Sequence, residues 1–238
     1  MTAPKGSFEN EATALKALLQ SANPSVCVGV RAITSDLPDV LPDERLLLSS
    51  KAVLKRKREF QAGRAAARDA LESLGVPKTS IGRHPNGSPI WPDGISGSIT
   101  HSEDVALAAV WKSAISLGID LEVNEELPFE MASEIASSEE YQSAQTAFGA
   151  ANSVPRAVFC IKESVYKAIS RDIGRIVDFR EVEIQPDSEN CTFQATAAAN
   201  LSSSVRTGHV LAKGSLLTTS RHLLSYAENT ISPNSCSQ

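Results

Sequence analysis

The sequence predicts an α+β fold in two halves, and three observations carry that reading. Each half runs from one long helical stretch into several short apolar runs of strand length. Those runs are separated by compact Gly, Pro, Asn and Ser punctuation, as in antiparallel sheets. At 238 residues, 42% hydrophobic and 21% charged, the chain is also long and apolar enough for a substantial core. The two halves suggest duplicated α+β units, although no residue-level repeat accompanies them.

In order, a short helix is predicted over Glu11 to Gln20 and an apolar strand over Val26 to Ile33. "SDLPDVLPDE" (35 to 44) carries two prolines and interrupts regular structure. A long helix follows over Lys51 to Leu74, stopped by Gly75 and Pro77. "RHPNGSPIWPDG" (83 to 94) reads as a loop. Strands are predicted over Ile95 to His101, Val105 to Lys112 and Ile115 to Val123. Residues 124 to 154 are acidic and Ser/Ala-rich, with at most weak helical character. Pro155 opens the second long helix, which runs to about Asp172. Four more strands are expected over Glu181 to Gln185, Thr192 to Ala197, His209 to Lys213 and His222 to Tyr226. The tail "NTISPNSCSQ" (229 to 238) is expected to be disordered.

Bulk properties narrow the function classes. A formal net charge of −5 argues against a general nucleic-acid binder. No apolar run approaches the roughly 20 residues that cross a bilayer, and the N-terminus lacks the pattern of a secretory signal. Cys27, Cys160, Cys191 and Cys236 form neither a CxxC pair nor a disulfide framework, which points to the cytoplasm with reduced thiols. There is no GxxxxGK[ST] loop and no GxGxxG fingerprint.

Four stretches resist a packing-only explanation. In "SLGIDLEV" (116 to 123), Asp120 and Glu122 are two apart, so on a strand both carboxylates leave the same face. Either this is an edge strand guarded by charge, or a divalent cation with oxygen ligands relieves the repulsion. In "RKREFQAGRAAARDALESLG", Arg64 falls within the apolar stripe of Phe60, Ala67, Leu71 and Leu74, with Arg56 and Arg68 nearby. It either snorkels over the core or holds an anion with its guanidinium fork. In "GSITHS" (97 to 102), His101 sits among Ser98, Thr100 and Ser102, which suits a structural histidine or a polar ligand pocket. In "VFCIKESVYKAI" (158 to 169), Lys162 lies mid-stripe among Phe159, Tyr166 and Ile169. Glu163 and Lys167 could be a simple i,i+4 surface pair. A phosphate neighbour would explain the charge of Lys162.

The order "RKREFQAGR", "GSPIWPDGISGSITHS", "GIDLE", "FCIKESVYKA" resembles the 4′-phosphopantetheinyl transferase superfamily, in its two-lobed monomeric, enterobactin synthetase component D-like type. The resemblance covers roughly residues 50 to 170. It implies two similar lobes, each a helix packed on a small antiparallel sheet, with boundaries at 1–118 and 119–238. It implies a cytoplasmic monomer that uses Mg²⁺, coenzyme A and an acyl or peptidyl carrier protein, with siderophore or polyketide biosynthesis as typical settings. Asp120, Glu122 and Glu163 would hold the metal, and Glu163 would also be the general base. Arg56, Arg64, His101 and Ser102 would contact coenzyme A, and Lys162 and Lys167 its pyrophosphate. Glu163, Lys167 and Asp120 are thereby the expected catalytic set. Asn86 stands where many relatives carry a basic residue, and Arg83 or His84 are the substitutes at hand. Two rival functions share these residues: a metal-dependent phosphodiesterase, and a non-catalytic carrier-binding module.

Overall fold

A computed structural model describes residues 5–36, 40–149, 151–187 and 189–231. Much of the expected disordered tail, with Cys236, lies outside the described residues, as do residues 37–39 of the proline-rich stretch. The chain divides into two compact units, Met1–Ala114 and Ile115–Gln238.

The first unit begins with α1 (Lys5–Ala22) and β1 (Cys27–Ala32), then a single turn α2 (Pro42–Arg45) and the long α3 (Leu54–Ser73). A two-residue hairpin, β2 (Gly82–Arg83) with β3 (Pro89–Ile90), leads to β4 (Ile95–Ser102) and β5 (Val105–Lys112). The three longer strands form an antiparallel sheet in the order β1-β5-β4. Helix α3 lays Ala66, Ala67, Ala70 and Leu71 onto it, against Ala108 and Val110. Small side chains let the helix backbone come close, and Gly29 on β1 is required by that closeness. A Cβ at Gly29 would stand 2.0 Å from the carbonyl oxygen of Ala66.

The second unit repeats this plan with a wider sheet. Strand β6 (Leu117–Val123) is followed by α4 (Phe129–Ile135), α5 (Ser138–Phe148) and the long α6 (Val154–Ile173). A 3-10 turn (Phe179–Glu181) then precedes β7 (Val182–Asp187), β8 (Thr192–Ala197), β9 (Val210–Thr218) and β10 (His222–Asn229). The sheet is antiparallel throughout, in the order β6-β10-β9-β8-β7. Strand β6, which the sequence boundary at 118/119 would cut, lies whole in this unit because its residues 117–123 all pair with β10. In both units the first strand of the sheet is an edge strand carrying a glycine under the long helix. The α+β class and the two helix-on-sheet lobes therefore hold.

Three local expectations need correction. The 83–94 loop contains the hairpin β2–β3, stabilised where Ser88 donates from its backbone N–H and its hydroxyl to Asn86. Asn86 is thus a turn residue. The proline-rich stretch includes α2, whose Glu44 is fully buried and accepts from Arg68 and from the backbone of Leu41 and Ile81. Residues 124 to 154 hold two defined helices. The second is capped by Ser137, whose hydroxyl accepts from the Glu140 backbone N–H.

Candidate active site

In the second unit, the alternation of β6 puts Gly118, Asp120 and Glu122 on one face, and α6 packs against that face. Gly118 sets how near the helix comes. A Cβ there would sit 1.9 Å from the carbonyl oxygen of Ser164 and 2.6 Å from the Ala168 nitrogen. With the glycine, Lys167 reaches back over the strand and donates to Asp120 Oδ1 at 2.6 Å and to the Ile119 carbonyl at 3.2 Å. Glu122 is held by Arg156 from the first turn of α6, at 2.9 Å. Arg156 is itself steadied by the carbonyls of Glu125 and Glu126. Behind these groups, Ser164 and Ser225 share a buried hydroxyl contact of 2.7 Å.

The charge of Asp120 acts on both glutamates. Burial, then the charge of Asp120, pushes the Glu163 carboxyl above its ordinary value, with Lys167 opposing. Burial and Asp120 push Glu122 the same way, against the pull of Arg156. Burial works to lower the Lys167 ammonium, but Asp120 and Glu163 together outweigh it and the net shift is upward. Asp120 is thus the centre of the cluster, 5% exposed and flanked by two glutamates whose carboxyls it raises. Cys160 lies beneath it, its thiol directed to the Asp120 carbonyl at 3.4 Å. Burial, with Asp120 and Glu122, raises that thiol far above its usual range, so it is no nucleophile.

Among the described residues no group of three His, Cys, Asp or Glu side chains forms a ready cage for a metal ion. The donor chemistry nonetheless fits a hard divalent cation. All three candidates are oxygen donors, and two are raised by Asp120, a repulsion that added positive charge would relieve.

Lys162 does not join this cluster. It is 2% exposed on the other side of α6, where its ammonium donates to Glu140 and to the carbonyls of Ile135 and Phe179, each at 2.9 Å. All three N–H donors of the ammonium are used. The charge on the apolar stripe is explained by Glu140, not by a phosphate, and the expected coenzyme A contact at Lys162 is corrected accordingly. Sequence reasoning missed Glu140 because it lies 22 residues away in a segment without a recognisable motif. Arg156 was missed too, since nothing in its local sequence marks it as the partner of Glu122.

In the first unit, Arg56 and His101 are brought together, with Arg56 3.3 Å from His101 Nε2. Glu59 lies 3.6 Å from Arg56 and 3.8 Å from His101. Ser102 follows at the partly exposed end of β4. Arg64 is 6% exposed, stacks its guanidinium 4.8 Å from the centre of the Phe60 ring, and donates to the Gly82 carbonyl at 3.2 Å. Its buried Nε meets no acceptor among the described residues. Burial lowers its pKa to about 10; Glu44 opposes this, and the charges of Arg83 and Arg68 add to it. A buried cation with a spare donor beside two further cations is an arrangement that an anion would stabilise. Arg83 contributes to that field from the position the sequence offered as a substitute for Asn86.

The geometry defines a two-lobed α+β protein with an acid–lysine cluster on the helix–strand pair of its second unit. Residues 43–111 match the family described as 4′-phosphopantetheinyl transferase N-terminal domain, and residues 116–224 match the 4′-phosphopantetheinyl transferase superfamily. The chain is 37% identical over 181 residues to the 4′-phosphopantetheinyl transferase Svp of Streptomyces mobaraensis, covering 72% of this chain and 73% of that one. It is 36% identical over 157 residues to the 4′-phosphopantetheinyl transferase Npt of Nocardia iowensis, covering 62% and 70%. Enterobactin synthase component D of Salmonella typhimurium is 39% identical over 116 residues, 49% of each chain. The chain belongs to the 4′-phosphopantetheinyl transferase superfamily, and it is an enzyme of that class.

Proposed function

We propose that the protein moves the phosphopantetheine group of coenzyme A onto a serine hydroxyl of an acyl or peptidyl carrier protein, with release of 3′,5′-ADP. The observation that carries this reading is the joining of Asp120 and Lys167 at 2.6 Å within the field of Glu163. It brings a base, a fixed cation and an acidic pair to one helix–strand contact, inside the region that matches the superfamily.

Glu163 takes the proton of the carrier serine. Its raised carboxyl suits a general base better than an ordinary exposed glutamate would. The serine oxygen attacks the β-phosphorus, a new O–P bond forms, and the bond to the bridging pyrophosphate oxygen breaks. Lys167, kept charged by Asp120 and Glu163, offers fixed positive charge to the departing phosphate. In the first unit, Arg56, Arg64 and His101 are assigned to the phosphates of coenzyme A, supported by the spare Nε donor of Arg64. Asp120, Glu122 and Glu163 would hold Mg²⁺, which when bound supplies charge neutralisation at the pyrophosphate.

The test is to incubate the protein with coenzyme A, Mg²⁺ and an apo carrier, then weigh the carrier. A phosphopantetheine-sized mass gain is expected. Hydrolysed coenzyme A without labelling would support a phosphodiesterase instead. An unchanged mixture would contradict both.

A further inference from the structure

Helix α6 is gripped from two sides. On one, Gly118 of β6 lets the helix backbone seat at the closest approach its atoms permit. On the other, Lys162 reaches into a buried node that gathers four further elements. Its ammonium holds the last residue of α4 through Ile135 and the 3-10 turn through Phe179. It pairs with Glu140 of α5, and the second oxygen of Glu140 accepts from the backbone of Ile184 on the edge strand β7, at 2.8 Å. One side chain thus ties α6 to α5, and a second carries the tie on to the sheet.

Lys162 and Glu163 are adjacent, so their side chains diverge by about 100° around the helix axis. Whatever fixes the rotation of α6 at Lys162 fixes the direction of Glu163. With side-chain ends about 6 Å from the axis, a rotation of about 10° moves the Glu163 carboxylate by about 1 Å. A displacement of that size at a reacting group can lower turnover by up to about 100-fold.

We infer that Glu140 and Lys162 are positioning residues, which set the rotation of α6 and so hold Glu163 towards the Asp120 end of β6. The inference rests on the role proposed for Glu163. Neither Glu140 nor Lys162 touches substrate in this scheme.

Buried ion pairs are often replaceable by apolar side chains of similar volume with no loss of stability. The double variant Glu140→Leu/Lys162→Met therefore separates positioning from mere support. Its melting temperature should fall moderately, because the Ile135 and Phe179 carbonyls and the Ile184 N–H lose their partners, so labelling is measured well below it. Carrier-labelling kcat should fall about 10- to 100-fold with KM for coenzyme A within about twofold, and amide exchange should accelerate over residues 159–169. Glu140→Gln, which keeps the size and the oxygen facing Ile184, should show the same split in smaller measure. If either variant keeps wild-type kcat and exchange, the inference is overturned. If the wild-type chain labels no carrier, the transfer reading fails, and exchange decides alone. Acceleration over 159–169 in the double variant would then support the anchoring, and unchanged exchange would overturn it.

Discussion

Lys167 donates to Asp120 across 2.6 Å, so the long helix and the edge strand of the second unit are joined by an ion pair at the centre of the acidic cluster. Asp120 is nearly buried, while the Lys167 side chain keeps about a quarter of its exposure. Replacing Asp120 by Asn keeps the shape and removes the charge. Loss of this charged hydrogen bond is expected to cost about 1–3 kcal/mol. Transfer should be abolished, because Lys167 loses its anchor and the proposed Mg²⁺ site loses one of its three carboxylates. Urea unfolding and carrier labelling check both parts; a fully active variant would contradict the assignment.

Glu163 makes the stability of the ligand-free protein depend on pH in a defined direction. Its carboxyl is raised from an ordinary value of 4.5 in the folded state. Below the unfolded value, both states hold the proton and the group contributes no difference. As pH rises from there to the folded value, the unfolded chain releases its proton first and folding weakens. Above the folded value, the deficit stays constant. Wild type should therefore lose stability relative to Glu163→Gln as pH rises above the ordinary value of 4.5, measured by urea unfolding without metal. Parallel curves would contradict the shift.

Gly118 is a packing requirement. A methyl group at this position would meet the Ser164 carbonyl and the Ala168 nitrogen, which are helix backbone and cannot rotate away. Gly118→Ala is expected to destabilise the protein by about 3 kcal/mol or more. Activity should fall with the displaced helix. A melting temperature within a degree of wild type would mean that α6 does not seat on β6 as described.

Arg64 combines a buried guanidinium with a spare donor. Arg64→Met keeps the stem beside Phe60, and the fold should change by no more than about 2 kcal/mol, since one neutral-acceptor hydrogen bond and one cation–π contact are lost while desolvation is relieved. Coenzyme A affinity should fall at least about tenfold by calorimetry, as expected for a lost charged hydrogen bond. A greater loss for coenzyme A than for dephospho-coenzyme A assigns the residue to the 3′-phosphate. Unchanged affinity for both ligands would remove Arg64 from the binding site.

The legible features in the sequence were those with a local period. Strand alternation placed Asp120 and Glu122 on one face, and helical spacing flagged Arg64 and Lys162 as charges on apolar stripes. Both charges prove to be buried, so the anomaly was sound in each case. Its cause was not legible, because a buried charge is satisfied by whatever the fold brings to it. For Lys162 that is Glu140 together with two carbonyls, none of them close in sequence. The helices within residues 124 to 154 were underestimated because their Ser/Ala composition is weakly patterned. Ser137 with Glu140 three residues later was the available sign, since that spacing marks a helix start. The pairing of Glu122 with Arg156 spans 34 residues and follows only from the docking of α6.

In the proposed reaction Glu163 and its acidic neighbours perform a Mg²⁺-supported transfer. The most direct measurement is the mass of an apo carrier after incubation with coenzyme A, for wild type and Glu163→Gln, each with Mg²⁺ or with a chelator. Labelling by wild type with Mg²⁺ alone is expected, with a loss of at least about 100-fold in the variant, which should still bind coenzyme A. Labelling by Glu163→Gln at near the wild-type rate, or by wild type undiminished in chelator, would contradict the account.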